Sequence, residues 1–438
     1  MLTIATFFLT QLYCLFRGIF HTPALLFVGY IVIYFMYHEQ RWWSSSIPSI
    51  GYSFFFSLVI LICALIPKNR TPTSIFQLTP LKWFLAVLAY FAVVQFWAVL
   101  PGAHSYALEN FIKVSVVFLA AFKLCKSPSD LDKYLLAFTA GCAYIGFYVM
   151  ETGRNGMGRV EGVGTVDSPD VNDMAAVLAV GAIFCLHYFW HAKNNKQRLL
   201  ILVAGGLIVN ALVLMNSRGS FLGVLTGSSA YLLGVMAPKV SMKYKKAKVF
   251  GLILFGLIGL VSVLDEQAIN RFLSIKSTTT LTEEQESGST RVFFWLAAAD
   301  MAQDYPLGAG TYSFNLLSPQ YIPESVATGR TRNRAVHSIW FQTLAEVGYI
   351  GFFFFIMMLF SGYLLTREIK KQALDEQNID MYFIGNAVQA ACIGYLTAAT
   401  FLDRFRAVAL YMLLIFICCA YNVYVIQKGN EEVTKEPA

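Results

Sequence analysis

Long apolar blocks separated by short polar stretches run the length of the chain. They fall near residues 2–19, 22–37, 50–66, 81–99, 107–122, 131–150, 171–190, 198–215, 219–237, 249–264, 337–363, 381–400 and 407–426. A helix needs about 20 consecutive apolar residues to cross the hydrocarbon core of a bilayer, and most of these blocks approach that length. The short alternating segments of a membrane β-barrel are absent. The pattern predicts an all-α fold, a polytopic transmembrane bundle of 12–13 helices; the lower number applies if the two short first blocks form one hairpin. Three regions follow: 1–264 with short loops, a long loop at 265–336, and C-terminal spans at 337–438. No self-similar halves are visible, which weighs against an inverted-repeat transporter.

Composition sharpens this reading. Of 438 residues, 57% are hydrophobic and 13% charged, against about 25% charged in a soluble domain. The net charge of +7 does not indicate nucleic acid, because the cations lie in short loops between apolar blocks. All eight cysteines lie in or at the ends of apolar blocks, without CxxC spacing, so neither a disulfide framework nor a zinc site is indicated. The opening stretch "MLTIATFFLTQLYCLF" has no basic start and no small-residue cleavage site, and reads as a first span rather than a cleaved signal.

Charge sets the orientation. With the loop 265–336 outside, the inside loops carry 20 of the 33 cations, as the positive-inside rule requires. Sixteen of those 20 are lysine, whereas 11 of the 12 outside cations (Arg41, Arg154, Arg159, Arg218, Arg271, Lys276, Arg291, Arg330, Arg332, Arg334, Arg404, Arg406) are arginine. Lys113, inside a span, is expected to pair with Glu109 four residues earlier. Topology does not sort arginine from lysine. A guanidinium fork matches phosphate or carboxylate, so the outside arginines point to a phosphorylated or acidic ligand, the alternative being chance or contact with lipid headgroups.

Four stretches carry candidate chemistry. In "LMNSRGSFLG" (214–223), Arg218 interrupts a long apolar run, and an arginine at bilayer centre costs about 2.5–3.5 kcal/mol. A tight turn with Arg218 at its apex and Gly219 supplying the turn is the simplest solution, and the following helix N-terminus favours anions. In "GSTRVFFWLAAADMAQDYPLGAGTYSF" (288–314), Ser289 can cap a helix that ends before Pro306. Arg291 and Trp295 share a face of that helix, which is expected to lie in the membrane interface; "PLGAG" then makes a glycine-rich turn. In "RTRNRAVHSIWFQTLAEVGYIG" (330–351), Arg330, Arg332 and Arg334 precede His337 at the start of an apolar helix. The positive end of the helix dipole disfavours imidazolium, and a neutral histidine can accept a proton; an interfacial histidine without chemistry is the alternative. Glu346, nine residues on, is about 13.5 Å away at 1.5 Å per residue, too far to orient it. In "GRVEGVGTVDSPDVNDMAA" (158–176), Arg159, Asp167 and Asp170 are sugar-contact candidates, although Asp170 or Asn172 can equally cap the next helix.

The ordered set "NSRGS", then arginine four residues before tryptophan followed by "YPLGAGTYSF", then "HSIWFQTLAEVGYIG" resembles the O-antigen ligase and polymerase superfamily. These are GT-C-type glycan transferases of the bacterial envelope. "RWWSSSIPSIGYS" is similar to the branch associated with exosortase systems. The resemblance implies a multi-pass protein of the bacterial inner membrane whose long loop and active site face the periplasm. It implies an undecaprenyl-diphosphate-linked glycan donor, a lipid or saccharide acceptor such as lipid A–core or a growing polysaccharide, and no metal or other cofactor. It also implies that Arg218 and Arg291, with Arg334 and Arg332 beside them, contact the diphosphate while His337 activates the acceptor hydroxyl. Charge grows on phosphate as the sugar–oxygen bond breaks, and arginines aimed there stabilise that state. No acid is marked as a nucleophile for double displacement, so the expected outcome is inversion. Two competing readings are a flippase for a lipid-linked sugar and a non-catalytic component of an exopolysaccharide secretion complex.

Overall fold

A computed structural model describes residues 2–427 apart from 38, 40, 156–159, 238–243, 264–289, 327, 329 and 330. Thirteen helices coincide with the thirteen apolar blocks: α1 Leu2–Phe20, α2 Ala24–Met36, α3 Tyr52–Leu65, α4 Thr79–Val94, α5 Pro101–Leu124, α6 Pro128–Thr152, α7 Val171–His191, α8 Asn195–Met215, α9 Arg218–Met236, α10 Lys245–Val263, α13 Ile339–Asp375, α14 Ile379–Ala399 and α15 Val408–Tyr421. Two more, α11 Thr290–Asp304 and α12 Ser313–Tyr321, lie in the long loop. Among the described residues seven helices are long and apolar enough to cross a membrane, and α2, α3 and α4 are shorter apolar helices. The protein is an all-α polytopic bundle.

Local chemistry explains where helices begin. Ser127, Asp170, Asn194 and Asn378 each accept a first-turn N–H, opening α6, α7, α8 and α14, which satisfies donors the helix itself cannot. Prolines stand in the first turns of α4, α5 and α6, where no N–H is missed.

The tightest helix pairing has a sequence cause. Gly219, Gly223 and Gly227 form one stripe on α9, facing Ala390, Gly394 and Ala398 of α14. A Cβ on Gly223 would sit 2.6 Å from the Gly394 carbonyl oxygen, and one on Gly227 3.1 Å from the Gly394 Cα. Small residues at this spacing let two backbones approach closely, the usual basis of helix association in lipid.

Loops assigned to one side in the sequence meet one another. At one end, Arg41 donates to the carbonyls of Gly162, Val163 and Gly164, and Trp97 Nε1 donates to Gly308 O at 2.9 Å. At the other end, Lys123 Nζ donates to the Thr71 and Thr73 carbonyls, each at 2.6 Å, and Lys126 Nζ to Lys68 O at 2.7 Å. Glu109 and Lys113 form the expected pair, 2.5 Å apart.

The long loop is docked. On α11, Phe294, Ala297, Ala298 and Met301 are buried while Val292, Phe293 and Leu296 are exposed. The glycine-rich turn uses positive φ at Gly308 (89°) and Gly310 (86°) and inserts into a break in α13, where Gly348 has φ 64° and ψ −169°. There Ala309 N–H donates to Ala345 O and Gly310 N–H to Glu346 O, both at 3.0 Å, while Tyr349 N–H donates to Pro306 O at 3.0 Å. The break frees helix carbonyls that must find donors when buried, and the glycine turn supplies them.

Candidate functional site

The segments bearing Arg218, Arg291 and His337 meet around one turn, residues 398–404, between α14 and α15. Arg291 Nη1 donates to Phe401 O at 3.2 Å. Directly after Arg218, the Gly219 Cα is so close to this turn that a Cβ would stand 3.3 Å from the Phe401 ring and 3.5 Å from Ala398 O. Asp403 accepts the backbone N–H groups of Ser338, at 3.2 Å, and of His337. Trp295, one helical turn after Arg291, stacks on Phe341 with centroids 5.7 Å apart and donates through Nε1 to His337 O at 3.4 Å. Trp340 Nε1 donates to Thr400 Oγ1 at 3.0 Å. All three candidate side chains are half-buried.

Two local expectations need correction. His337 does not begin the helix: α13 starts at Ile339, and His337 sits two residues earlier with φ 53°. A non-glycine residue in the left-handed region is strained, and such strain gathers at functional sites when the surroundings fix it; here the Asp403 and Trp295 bonds do so. Nor does Gly219 make the turn before α9. Asn216 does, with φ 51°, accommodated because Asn enters this region more readily than most residues. Arg218 is therefore the first residue of α9, not the apex, and Ser217 provides no side-chain cap. Gly219 serves the close approach to Phe401 instead.

Among the described residues, most outside arginines serve the fold. Arg41 is 2% exposed and lies 4.3 Å over the Tyr148 ring, in addition to its three carbonyl bonds. Arg154 donates to Val213 O and Leu214 O. Arg332 Nη2 donates to Ile322 O and, at 3.2 Å, to Pro323 O. Irregular loops leave carbonyls in want of donors, and arginine carries five; this, more than ligand binding, accounts for its abundance on this side. Arg334 differs, because its backbone N–H donates to Ser318 Oγ at 2.9 Å while its buried Nε lacks a partner. Arg159 and Arg330 lie outside the described residues, as does Ser289.

Two ion-pair centres were not foreseen. Arg404 Nη2 reaches Asp167 Oδ2 at 3.2 Å and Nη1 reaches Asp173 Oδ2 at 3.1 Å, with Ser168 Oγ at 2.5 Å. Asp167 also accepts the Val408 N–H at 2.8 Å, at the start of α15. Arg406 pairs with Glu346, which also accepts from Gln342 Nε2 at 3.1 Å. Asp167 is thus held in a structural cluster, and Asp170 is the α7 cap, accepting from Asn172 N–H at 2.8 Å. One sequence signal pointed to these pairs: Glu346 and Asp173 sit in apolar spans, where ionisable groups need partners, and Arg404 and Arg406 stand in a short turn between two others.

A cavity of about 1190 Å³ adjoins the turn, lined by Ala335, Val336, Asp403, Arg404, Arg406 and Glu346 at one end and by α3 and α5 at the other. Desolvation pushes the Asp403 carboxyl up to about 6, opposed by the charge of His337 and by the N–H bonds of Ser338 and His337.

Fold and site together define a multi-pass helical membrane protein with arginines and a strained histidine gathered at one end of its bundle. Residues 203–356 match the family model described as O-Antigen ligase. The match supports the O-antigen ligase and polymerase superfamily and, with it, a membrane glycan-transfer role in polysaccharide biosynthesis. The matched span contains Arg218, Arg291 and His337; Asp403, Arg404 and Arg406 lie beyond it. No curated protein matches the chain.

Proposed function

We propose that the protein transfers a glycan from undecaprenyl diphosphate to an acceptor hydroxyl on the periplasmic face of the inner membrane. His337 takes the proton of the attacking hydroxyl as its oxygen bonds to the anomeric carbon. The bond from that carbon to the diphosphate oxygen breaks, and its electron pair leaves with the diphosphate. Arg218, Arg291 and Arg334 stabilise this growing charge, in bonds worth about 1.5–3 kcal/mol each. Arg332 stands beside them, its Nη2 held by the Ile322 and Pro323 carbonyls. Attack opposite the leaving group inverts the anomeric centre. The arginines supply the charge compensation, so the step as written contains no metal.

The observation that carries this reading is the meeting of the Arg218, Arg291 and His337 segments at the 398–404 turn. Purified protein in lipid nanodiscs, given undecaprenyl diphosphate–glycan and candidate acceptors, tests it by the mass of the product. A covalent glycan–acceptor adduct with released undecaprenyl diphosphate is expected. Movement of the donor across vesicles with no adduct would establish a flippase instead.

A further inference from the structure

Lys370 lies near the C-terminal end of α13, far from His337 at the other end of that helix, yet its side chain does not reach outward to water. Its stem passes Gly385 of α14, where a Cβ would stand 3.2 Å from Lys370 Cγ. Its Nζ then donates to Gln389 Oε1, one turn deeper along α14, and Gln389 Nε2 donates to Thr366 Oγ1 at 2.9 Å. A lysine near a helix end ordinarily snorkels the other way. An ammonium carries three donors, and among the described residues this half-buried one has a single partner and no carboxylate. The charge that bears on it is Arg367, of the same sign and exposed. Glu368, the acid between them in sequence, bonds to the Tyr421 hydroxyl instead. Two neighbouring cations without a counter-ion are a place for an anion from outside.

Beside this pair the bundle has an apolar opening. A cavity of about 80 Å³ is lined by Gly362, Tyr363 and Thr366 of α13, Gln389 and Ile393 of α14, and Leu414 of α15, among others. Thr366 and Gln389 form its edge next to Lys370. Gly362 makes the room, since a Cβ there would still stand 3.6 Å from Leu414 and 3.8 Å from Ile417. The α15 wall is buried, whereas Tyr363 is 44% exposed and Ile393 is half-buried, so the mouth lies between α13 and α14 on the outer surface. An apolar cavity of this kind stays dry, and on the flank of a membrane protein hydrocarbon fills it. Depth agrees with this. Lys370 is about 45 Å from the start of α13 at 1.5 Å per residue, which is roughly the thickness of a bilayer with its headgroups.

We infer that this crevice between α13 and α14 binds a phospholipid of net negative charge from the leaflet opposite the His337 end: the phosphate sits on Lys370 and Arg367, and part of one acyl chain fills the cavity. A zwitterionic headgroup would bring its own ammonium against the two cations, which selects a glycerol headgroup over choline. The site does not depend on the transfer chemistry, and its occupancy can be read without turnover.

Full-length protein stripped of lipid in detergent is titrated with phosphatidylglycerol or phosphatidylcholine of identical chains, and bound lipid is counted by native mass spectrometry. One phosphatidylglycerol held in preference to phosphatidylcholine is expected. Lys370→Met should weaken phosphatidylglycerol about fivefold, the worth of one cation at an anionic surface, and Arg367→Gln should do the same. Gly362→Leu fills the cavity and should weaken both lipids on the order of tenfold. Its melting temperature without lipid should stay at or above that of the parent, because leucine suits a helix better than glycine. Should Gly362→Leu fail to fold, the two charge variants carry the test, since neither breaks an ion pair. Equal retention of the two lipids would overturn the inference, as would phosphatidylglycerol binding that neither charge variant weakens. Displacement by glycerophosphoglycerol, the headgroup without its chains, at the same concentration would make this a site for a soluble phosphate and overturn the inference too.

Discussion

Asp403 accepts the N–H of Ser338 at 3.2 Å, and through it the α14–α15 turn fixes the backbone of His337 in the left-handed region. The bond is strongest when the carboxyl is ionised, and burial raises that ionisation to about pH 6. Transfer activity should fall as pH drops through about 6. Asp403→Asn should lower activity and flatten this acid limb, which a pH–rate profile of both proteins would show. The stability effect has the opposite sense. A carboxyl with folded pKa above its unfolded value binds more protons when folded, so stability falls as pH rises from about 4 to 6. Melting temperature against pH should lose that slope in Asp403→Asn.

His337→Asn separates geometry from chemistry. Asparagine tolerates positive φ but cannot take a proton at neutral pH. Its melting temperature should stay near that of the parent while transfer drops roughly 10²–10⁴-fold, the usual contribution of a general base. Retention of product formation by mass spectrometry would remove His337 from the mechanism.

Arg218→Lys keeps the charge at the start of α9 and loses the fork. Since a point charge does not replace bidentate phosphate contact, a severe drop in transfer is expected, with unchanged yield of folded protein. Wild-type kinetics in this variant would count against diphosphate binding by Arg218.

Arg404→Ala removes the cation that Asp173 and Asp167 share, leaving Asp167 to the Thr165 hydroxyl and the Val408 N–H. Breaking a buried pair in this way costs about 3–5 kcal/mol, so thermal unfolding in detergent should begin well below that of the parent. Arg404→Lys should fall between the two.

Gly223→Leu drives a side chain into the Gly394 carbonyl, 2.6 Å from the Cβ position, and should separate α9 from α14. Gly102→Ala, in open space on α5, serves as control and should not destabilise. Size-exclusion profiles before and after heating distinguish them.

Much of this architecture was legible in the order of residues. Each apolar block became a helix because length and hydrophobicity settle that question without tertiary information. Asp170 was readable as a cap because capping is local. The glycine turn at 306–310 was also visible, although its seat in the α13 break was not, since nothing near Gly348 names its partner. The arginines were the hardest to interpret. Their number suggested ligand, yet Arg41 binds carbonyls 121–123 positions away and Arg404 binds an aspartate 237 positions away. Such distant pairings are set by how the bundle closes. Asn216 was missed for a simpler reason: Gly219 beside it looked like the obvious turn former.

A broken helix ordinarily marks a place that bends. At Gly348 the gap is instead riveted shut by the 306–310 turn, with bonds running in both directions between the strands of backbone. Flexing α13 there would mean pulling out the rivet, and Trp97 and Val99 hold the same turn from its other side. The upper part of α13, carrying Gln342 and Glu346, is thereby built as a stiff post. Any motion that accompanies turnover must pivot elsewhere.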